Sequence, residues 1–226
     1  MGTPKSIGVI ELSSIGIGLK VQDIMLKAAA VQVLIARTIC SGKYLIVIGG
    51  LVGEVQTAVR AGAEGAGEAL IDQLVIPNVH ESVFRAMGQS VVLEADEVEA
   101  VGIVETFSGT SVIAAADAAA KAARVTLFRI HIAMALGGKG FCLMAGTIAD
   151  CRAGVQAGAE EARQRGLLVS EVVIPRPAAE LFGEYLSQPS AATKTIAGAE
   201  RQRSREDREE VSRYSFQTTG FSSTSS

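Results

Sequence analysis

The sequence predicts an α/β fold made twice over, as two tandem copies of a unit in which helices cover an antiparallel sheet. Three observations predict it. The segment IGVIEL, starting at Ile7, returns as VGIVET from Val101. Each occurrence opens the same succession of patterns, strand–helix–strand–strand–helix–strand. Finally, the matches keep their order along the chain. Gly8 pairs with Gly102, Glu11 with Glu105, Ser14 with Ser108, Asp23 with Asp117 and Lys27 with Lys121, all 94 residues apart. The offset is then 96 (Lys43 with Lys139, Gly50 with Gly146, Val59 with Val155) and finally 98 (Ile76-Pro77 with Ile174-Pro175). Two small insertions in the second copy account for the steps, and such self-similarity fixes the architecture before any motif is weighed.

The elements follow in order. Ile7–Leu12 is apolar and β-branched, a strand. Val21, Ile24, Met25 and Ala28 recur at helical spacing, as do Ala115, Ala118, Ala119 and Ala122 in the second copy. Asp23–Lys27 and Asp117–Lys121 are i, i+4 pairs with the acid first, the favourable order on an exposed helix face. Strands are expected at Gln32–Ile39 and Tyr44–Ile48, joined by the turn Thr38-Ile39-Cys40-Ser41-Gly42-Lys43. A second helix spans about Val52 to Ala69, with Val55, Ala58, Val59, Gly62 and Ala66 on one face. A last strand, Leu74–Ile76, stops at Pro77, and a short helix follows from His80 to Met87. This order implies a mostly antiparallel sheet covered on one face by helices. The first copy is placed at residues 5–90 and the second at 98–186, with an acidic linker from Gly88 to Glu99 between them. The Ser-, Thr-, Arg- and Glu-rich segment 187–226 has too few apolar residues for a core and reads as a disordered tail.

Composition narrows the functions. Apolar residues make up 48% of the 226, and charged residues 20%. The net charge of −3 gives no basic face for nucleic acid. The longest apolar run, Tyr44–Gly53, is well short of the ~20 residues that span a bilayer. No secretory leader is recognisable, so a cytoplasmic protein with neither nucleic-acid nor membrane partner is expected. The three cysteines form no disulfide framework or C-x-x-C metal motif.

Cys40 stands apart among the cysteines. Cys142 matches Ile46 on a strand and Cys151 matches Val55 on the inner face of a helix, where small buried thiols act as hydrophobes. Cys40 instead sits in a polar turn, beside Ser41, Gly42 and Lys43, where an ammonium would favour the thiolate. One thiol per chain cannot hold a metal cluster, and a lone thiol at a turn is the plainer reading. His80 and His131 lack second ligands at metal spacing and are expected at the surface or an edge. Ser14 and Ser108 are expected to cap helices, with no G-x-S-x-G context for a nucleophile. Gly49-Gly50 alone is a weak phosphate signal.

The repeated IGVIEL strand, the D-x-x-x-K-A-A helix (Asp23–Ala29, Asp117–Ala123), the Gly-Lys after the second strand and Ile174-Pro175-Arg176-Pro177 together resemble the bacterial microcompartment shell domain, here in tandem, over about residues 5–186. The Cys40 turn is most similar to that of iron–sulfur-binding tandem shell proteins of propanediol-utilisation compartments. The resemblance implies a ferredoxin-like fold and three chains forming a pseudohexameric trimer that tiles with other shell proteins. It implies a central pore lined by Cys40, Ser41, Gly42 and Lys43 of one copy and Leu136, Gly137, Gly138 and Lys139 of the other. It further implies inter-trimer edges carrying Lys27, Lys121 and Arg176. Asn78-Val79 departs from the Arg-Pro expected in the first copy. The second pore turn is two residues longer and has no cysteine. A shared 4Fe–4S cluster on three Cys40 thiolates follows from the resemblance, with enclosed redox enzymes as electron partners and no catalytic residues. A metal-free metabolite pore is the alternative within the shell reading. A trimeric small-molecule regulator, or an enzyme with Cys40 as nucleophile, is the alternative outside it, although no acid/base partner accompanies the thiol.

Overall fold

Among the described residues, eight strands and five helices follow one another in two series that match except for a closing helix found in the first. The computed structural model describes residues 4–88, 98–132 and 137–178, with single positions at 91, 93 and 181. The first series is β1 (Ser6–Leu12), α1 (Ile15–Ala28), β2 (Gln32–Ile39), β3 (Lys43–Gly50), α2 (Val52–Ala66), β4 (Leu70–Ile76) and α3 (Glu81–Met87). The second is β5 (Ala100–Thr106), α4 (Gly109–Ala122), β6 (Thr126–Ile132), β7 (Gly140–Gly146), α5 (Ile148–Gln164) and β8 (Leu168–Pro175). The sheets have orders β2-β3-β1-β4 and β6-β7-β5-β8, and every neighbouring pair is antiparallel. Both copies belong to one compact unit, residues 1–182.

Local chemistry explains the boundaries. Ser14 accepts from the Ile17 N–H and Ser108 from the Ser111 N–H, each capping a helix start as expected. His80 caps α3 by accepting from the Ser82 N–H. The second helix ends earlier than the sequence suggests, because Gly67 takes φ +53° and a short 3₁₀ turn over Gly67–Ala69 follows. The fourth strand then starts at Leu70, before the expected Leu74. The linker expected at 88–99 lies partly outside the described residues; the tail at 187–226 and Leu136 lie wholly outside them.

The two sheets differ in what covers them. Residues of β1 alternate between faces, and every one of them is buried. Ile10 and Leu12 face α1 and α2, packing with Val21, Met25, Ile46, Val55 and Ala58. Ile7 and Val9, with Leu45 and Val47, face the opposite way and share a core with Val112, Ile113 and Ala116 of α4. Helix α4 of the second copy is thus seated on the back of the first sheet. Helices cover one face of the second sheet, as expected, but the first sheet is sandwiched. The physical reason is legible in IGVIEL: a strand covered on both faces needs apolar side chains at both parities.

An alanine-rich helix suits that seat. From Gly109 to Ala120, every α4 residue except Ala118 is buried, while α1 buries only Gly18, Val21 and Met25. Ala28 and Ala122, placed on the apolar stripes by spacing, are exposed because each lies in the last turn, beyond the core.

Candidate functional site

Cys40 begins a 3₁₀ turn, Cys40–Gly42, that joins β2 to β3. Buried Ile39 anchors the turn from the strand side, and Gly42 at φ +73° closes it in a conformation that side chains disfavour. Cys40 itself is half-buried. The counterpart turn of the second copy carries Gly137 and Gly138 at φ +62° and +86° and no thiol.

Lys43, the cation beside Cys40 in sequence, is held by a buried carboxylate. Its Nζ donates to Glu11 Oε1 at 2.8 Å, and the Glu11 side chain is 0% exposed against 22% for Lys43. Glu11 Oε2 accepts from the N–H of Gly109, the first residue of α4, at 3.1 Å, and from Thr110 Oγ1 at 3.5 Å. One buried carboxylate therefore neutralises a lysine and the positive end of a helix from the other copy. The ammonium is balanced within the chain. It also reaches the second turn, since a Cβ built on Gly138 would lie 3.4 Å from Lys43 Nζ. The two turns are neighbours, and Arg37 Nη2 ties their strands together by donating to the Ile132 carbonyl at 2.6 Å.

Three further contacts complete the seam between copies. Arg165 Nη2 donates to both Asp72 oxygens at 2.8 Å. Ser108 Oγ donates to Asp72 Oδ2 at 3.5 Å. The His80 N–H donates to Asp117 Oδ1 at 2.7 Å. That last bond corrects the expectation of two equivalent exposed Asp–Lys pairs. Asp23 is 60% exposed beside Lys27, whereas Asp117 beside Lys121 is 8% exposed because α4 is covered. Reasoning from sequence missed Glu11, Arg37, Asp72 and Arg165. An acid recurring inside an otherwise apolar first strand, at Glu11 and Glu105, was the available signal.

His131 occupies the place of Arg37 in the repeat, on the edge strand β6, and is half-buried there. Its ring stacks on Phe141 with centroids 4.9 Å apart. Burial lowers its pKa first, and the nearby positive charges of Arg129 and Arg37 add to that, so the neutral ring is favoured. Burial likewise pushes the Cys142 thiol up to about 12 and Cys151 up to about 11. Cys151 Sγ donates to the Ala100 carbonyl at 3.4 Å. These two thiols are inert packing groups, and Cys40 alone sits in an accessible turn. Among the described residues of one chain, no three His, Cys, Asp or Glu side chains gather as a metal site.

Just after β4 and β8, Asn78 and Arg176 occupy equivalent positions with φ of +50° and +46°. The departure from the Arg-Pro pattern therefore keeps the backbone bend, which asparagine accepts more readily than most residues. Lys27 and Lys121 lie at the ends of α1 and α4.

Among the described residues, no helix is long and apolar enough to cross a membrane. The BMC domain profile matches twice, at residues 6–79 and 100–177. The chain is 47% identical over 173 residues to bacterial microcompartment shell protein PduT of Citrobacter freundii, covering 76% of this chain and 93% of that protein. The crystal structure of a microcompartment protein from Desulfitobacterium hafniense DCB superposes with a TM-score of 0.72 at 43% identity, covering 79% of this chain and 98% of that one. A fused permuted hexameric shell protein from the RMM microcompartment shares the fold at a TM-score of 0.53 and 22% identity, covering 70% of this chain and 81% of its own. The chain belongs to the bacterial microcompartment domain family, as a structural shell protein with two tandem copies of the domain.

Proposed function

We propose that three chains close into a pseudohexameric ring that tiles with other shell proteins, and that the ring's centre carries a 4Fe–4S cluster on the three Cys40 thiolates. The observation that carries the ring is an imbalance between the copies. Within the chain, α4 is seated on the back of the first sheet. The matching back of the second sheet buries Val101 and Leu143 but leaves Ile103 and Phe141 half-buried and Val172 42% exposed. The matching helix α1 presents Ile15, Leu19 and Leu26 to solvent, where α4 buries Gly109, Ile113 and Ala120. Each chain thus offers a helix and a sheet face equivalent to the pair that fits together within it, which would be a head-to-tail contact that forms a ring if its rotation closes.

The donor set suits a threefold cluster. Cys40 is the accessible thiol, and three such thiolates, one from each chain, would hold the cluster, with one iron of a cubane then free for another ligand. Such a cluster supplies single-electron transfer, here between the compartment's redox enzymes and the outside. The chain's own part is to hold Cys40 on a short turn anchored by Ile39 and to keep Lys43 withdrawn onto Glu11. The alternative is an open metabolite pore lined by the same turns. Iron analysis of anaerobically reconstituted protein separates the two. Cluster absorbance that disappears in Cys40→Ser supports the cluster, and colourless, iron-free native protein refutes it.

A further inference from the structure

The seam inside the chain is a template for the seam between chains, and it names the residue that should anchor the second one. At the inner seam, Glu11 is the buried hub. Its counterpart Glu105 has a matching lysine on its own side: Lys139 Nζ lies 3.1 Å from Oε1, where Lys43 Nζ lies 2.8 Å from that of Glu11. Ser170, in place of Asp72, donates to Oε2 at 3.0 Å. What Glu105 lacks within the chain is a helix N-terminus over it, so its side chain remains 30% exposed where Glu11 is fully covered. The helix equivalent to α4 is α1, whose first residue Ile15 is 41% exposed and whose Leu19 is 56% exposed. In α4 the residue at the Leu19 position, Ile113, is 0% exposed.

We propose that Glu105 accepts a hydrogen bond from the Ile15 N–H of a second copy of this chain, while Leu19 of that copy packs on Ile103, Phe141 and Val172. The contact rests on the ring reading and deepens it by assigning its polar anchor and its apolar knob. It also places Lys139 beside the neighbour's Gly42, by analogy with Lys43 beside Gly138. The basic residue nearest each Cys40 turn from across the seam is then Lys139 of the adjoining chain, held there by Glu105.

The test is sedimentation velocity over a dilution series of the full chain, native and variant, with circular dichroism to verify the fold. Native protein should sediment as a trimer. Glu105→Ala should raise the dissociation constant at least about tenfold, as expected for loss of a charge-assisted bond. Leu19→Lys, at an exposed position that does not burden the folded chain, should give folded monomers. Leu51→Lys, 64% exposed and off the seam, should leave assembly unchanged. Trimers of undiminished affinity in folded Leu19→Lys overturn the interface. Undiminished affinity in Glu105→Ala alone overturns the anchor while the ring stands. A native chain that stays monomeric overturns both.

Discussion

Replacing Glu11 by glutamine tests how far the copies depend on their shared carboxylate. The substitution keeps shape and leaves an amide oxygen able to accept from Gly109. It removes the charge that Lys43 faces at 2.8 Å and that the α4 N-terminus faces at 3.1 Å. A hydrogen bond to a charged group contributes roughly 1.5–3 kcal/mol. The helix-terminus interaction adds about 0.3–1 kcal/mol, and more where partly buried. Because Lys43 keeps some access to water, its stranded charge costs less than a fully buried one. The expected loss is therefore about 2–4 kcal/mol. For a folded unit of this size, each kcal/mol shifts the midpoint by roughly 2–4 °C, giving a fall of about 5–15 °C in thermal unfolding followed by circular dichroism. Glu68→Gln, at an exposed position, is the control. A Glu11→Gln midpoint within a degree of the control would refute the idea that this carboxylate joins the copies.

The remaining predictions concern packing and thiols. Gly158→Ala should destabilise the chain by about 1–3 kcal/mol, read from denaturant midpoints. A Cβ there would lie 2.7 Å from the Ala115 carbonyl, backbone that cannot swing aside. Gly53→Ala, with nothing within 4 Å, should cost nothing. Alkylation of the native, cluster-free chain at pH 8 should label Cys40 and spare Cys142 and Cys151, as peptide mass mapping would show; prompt labelling of all three contradicts the burial account. The two raised thiols also set a pH dependence. The folded chain holds their protons more tightly than the unfolded chain does, so stability should fall as pH rises from about 9 towards the folded values of about 11 and 12. Cys142→Ala combined with Cys151→Ala should flatten that alkaline limb, and an unchanged slope would contradict the assignment.

The duplication, the succession of elements and the caps of α1 and α4 were legible because they depend on local pattern: alternation, spacing and a serine before those two helices. The both-sided burial of β1 was written in IGVIEL too, but its meaning depends on a partner almost a hundred residues away. Asp117 shows the limit clearly. Its i, i+4 relation to Lys121 matches that of Asp23 to Lys27, yet one pair is covered and the other open, because only α4 has a sheet behind it. Lys43 shows the same limit: its neighbourhood in sequence gives no sign that Glu11, distant in sequence and adjacent in the sheet, pairs with its charge. His131 does lie on the edge strand β6, within the surface-or-edge reading, but a single sequence does not reveal that Phe141 lies under its ring.

The central claim is a threefold site built from one thiol per chain. Native mass spectrometry of the anaerobically reconstituted protein, beside Cys40→Ser, tests it most directly. The account predicts three chains carrying four irons and four sulfides, with the mutant retaining three chains and no iron. Cluster retained without Cys40, or a native trimer that takes up no iron, would contradict it.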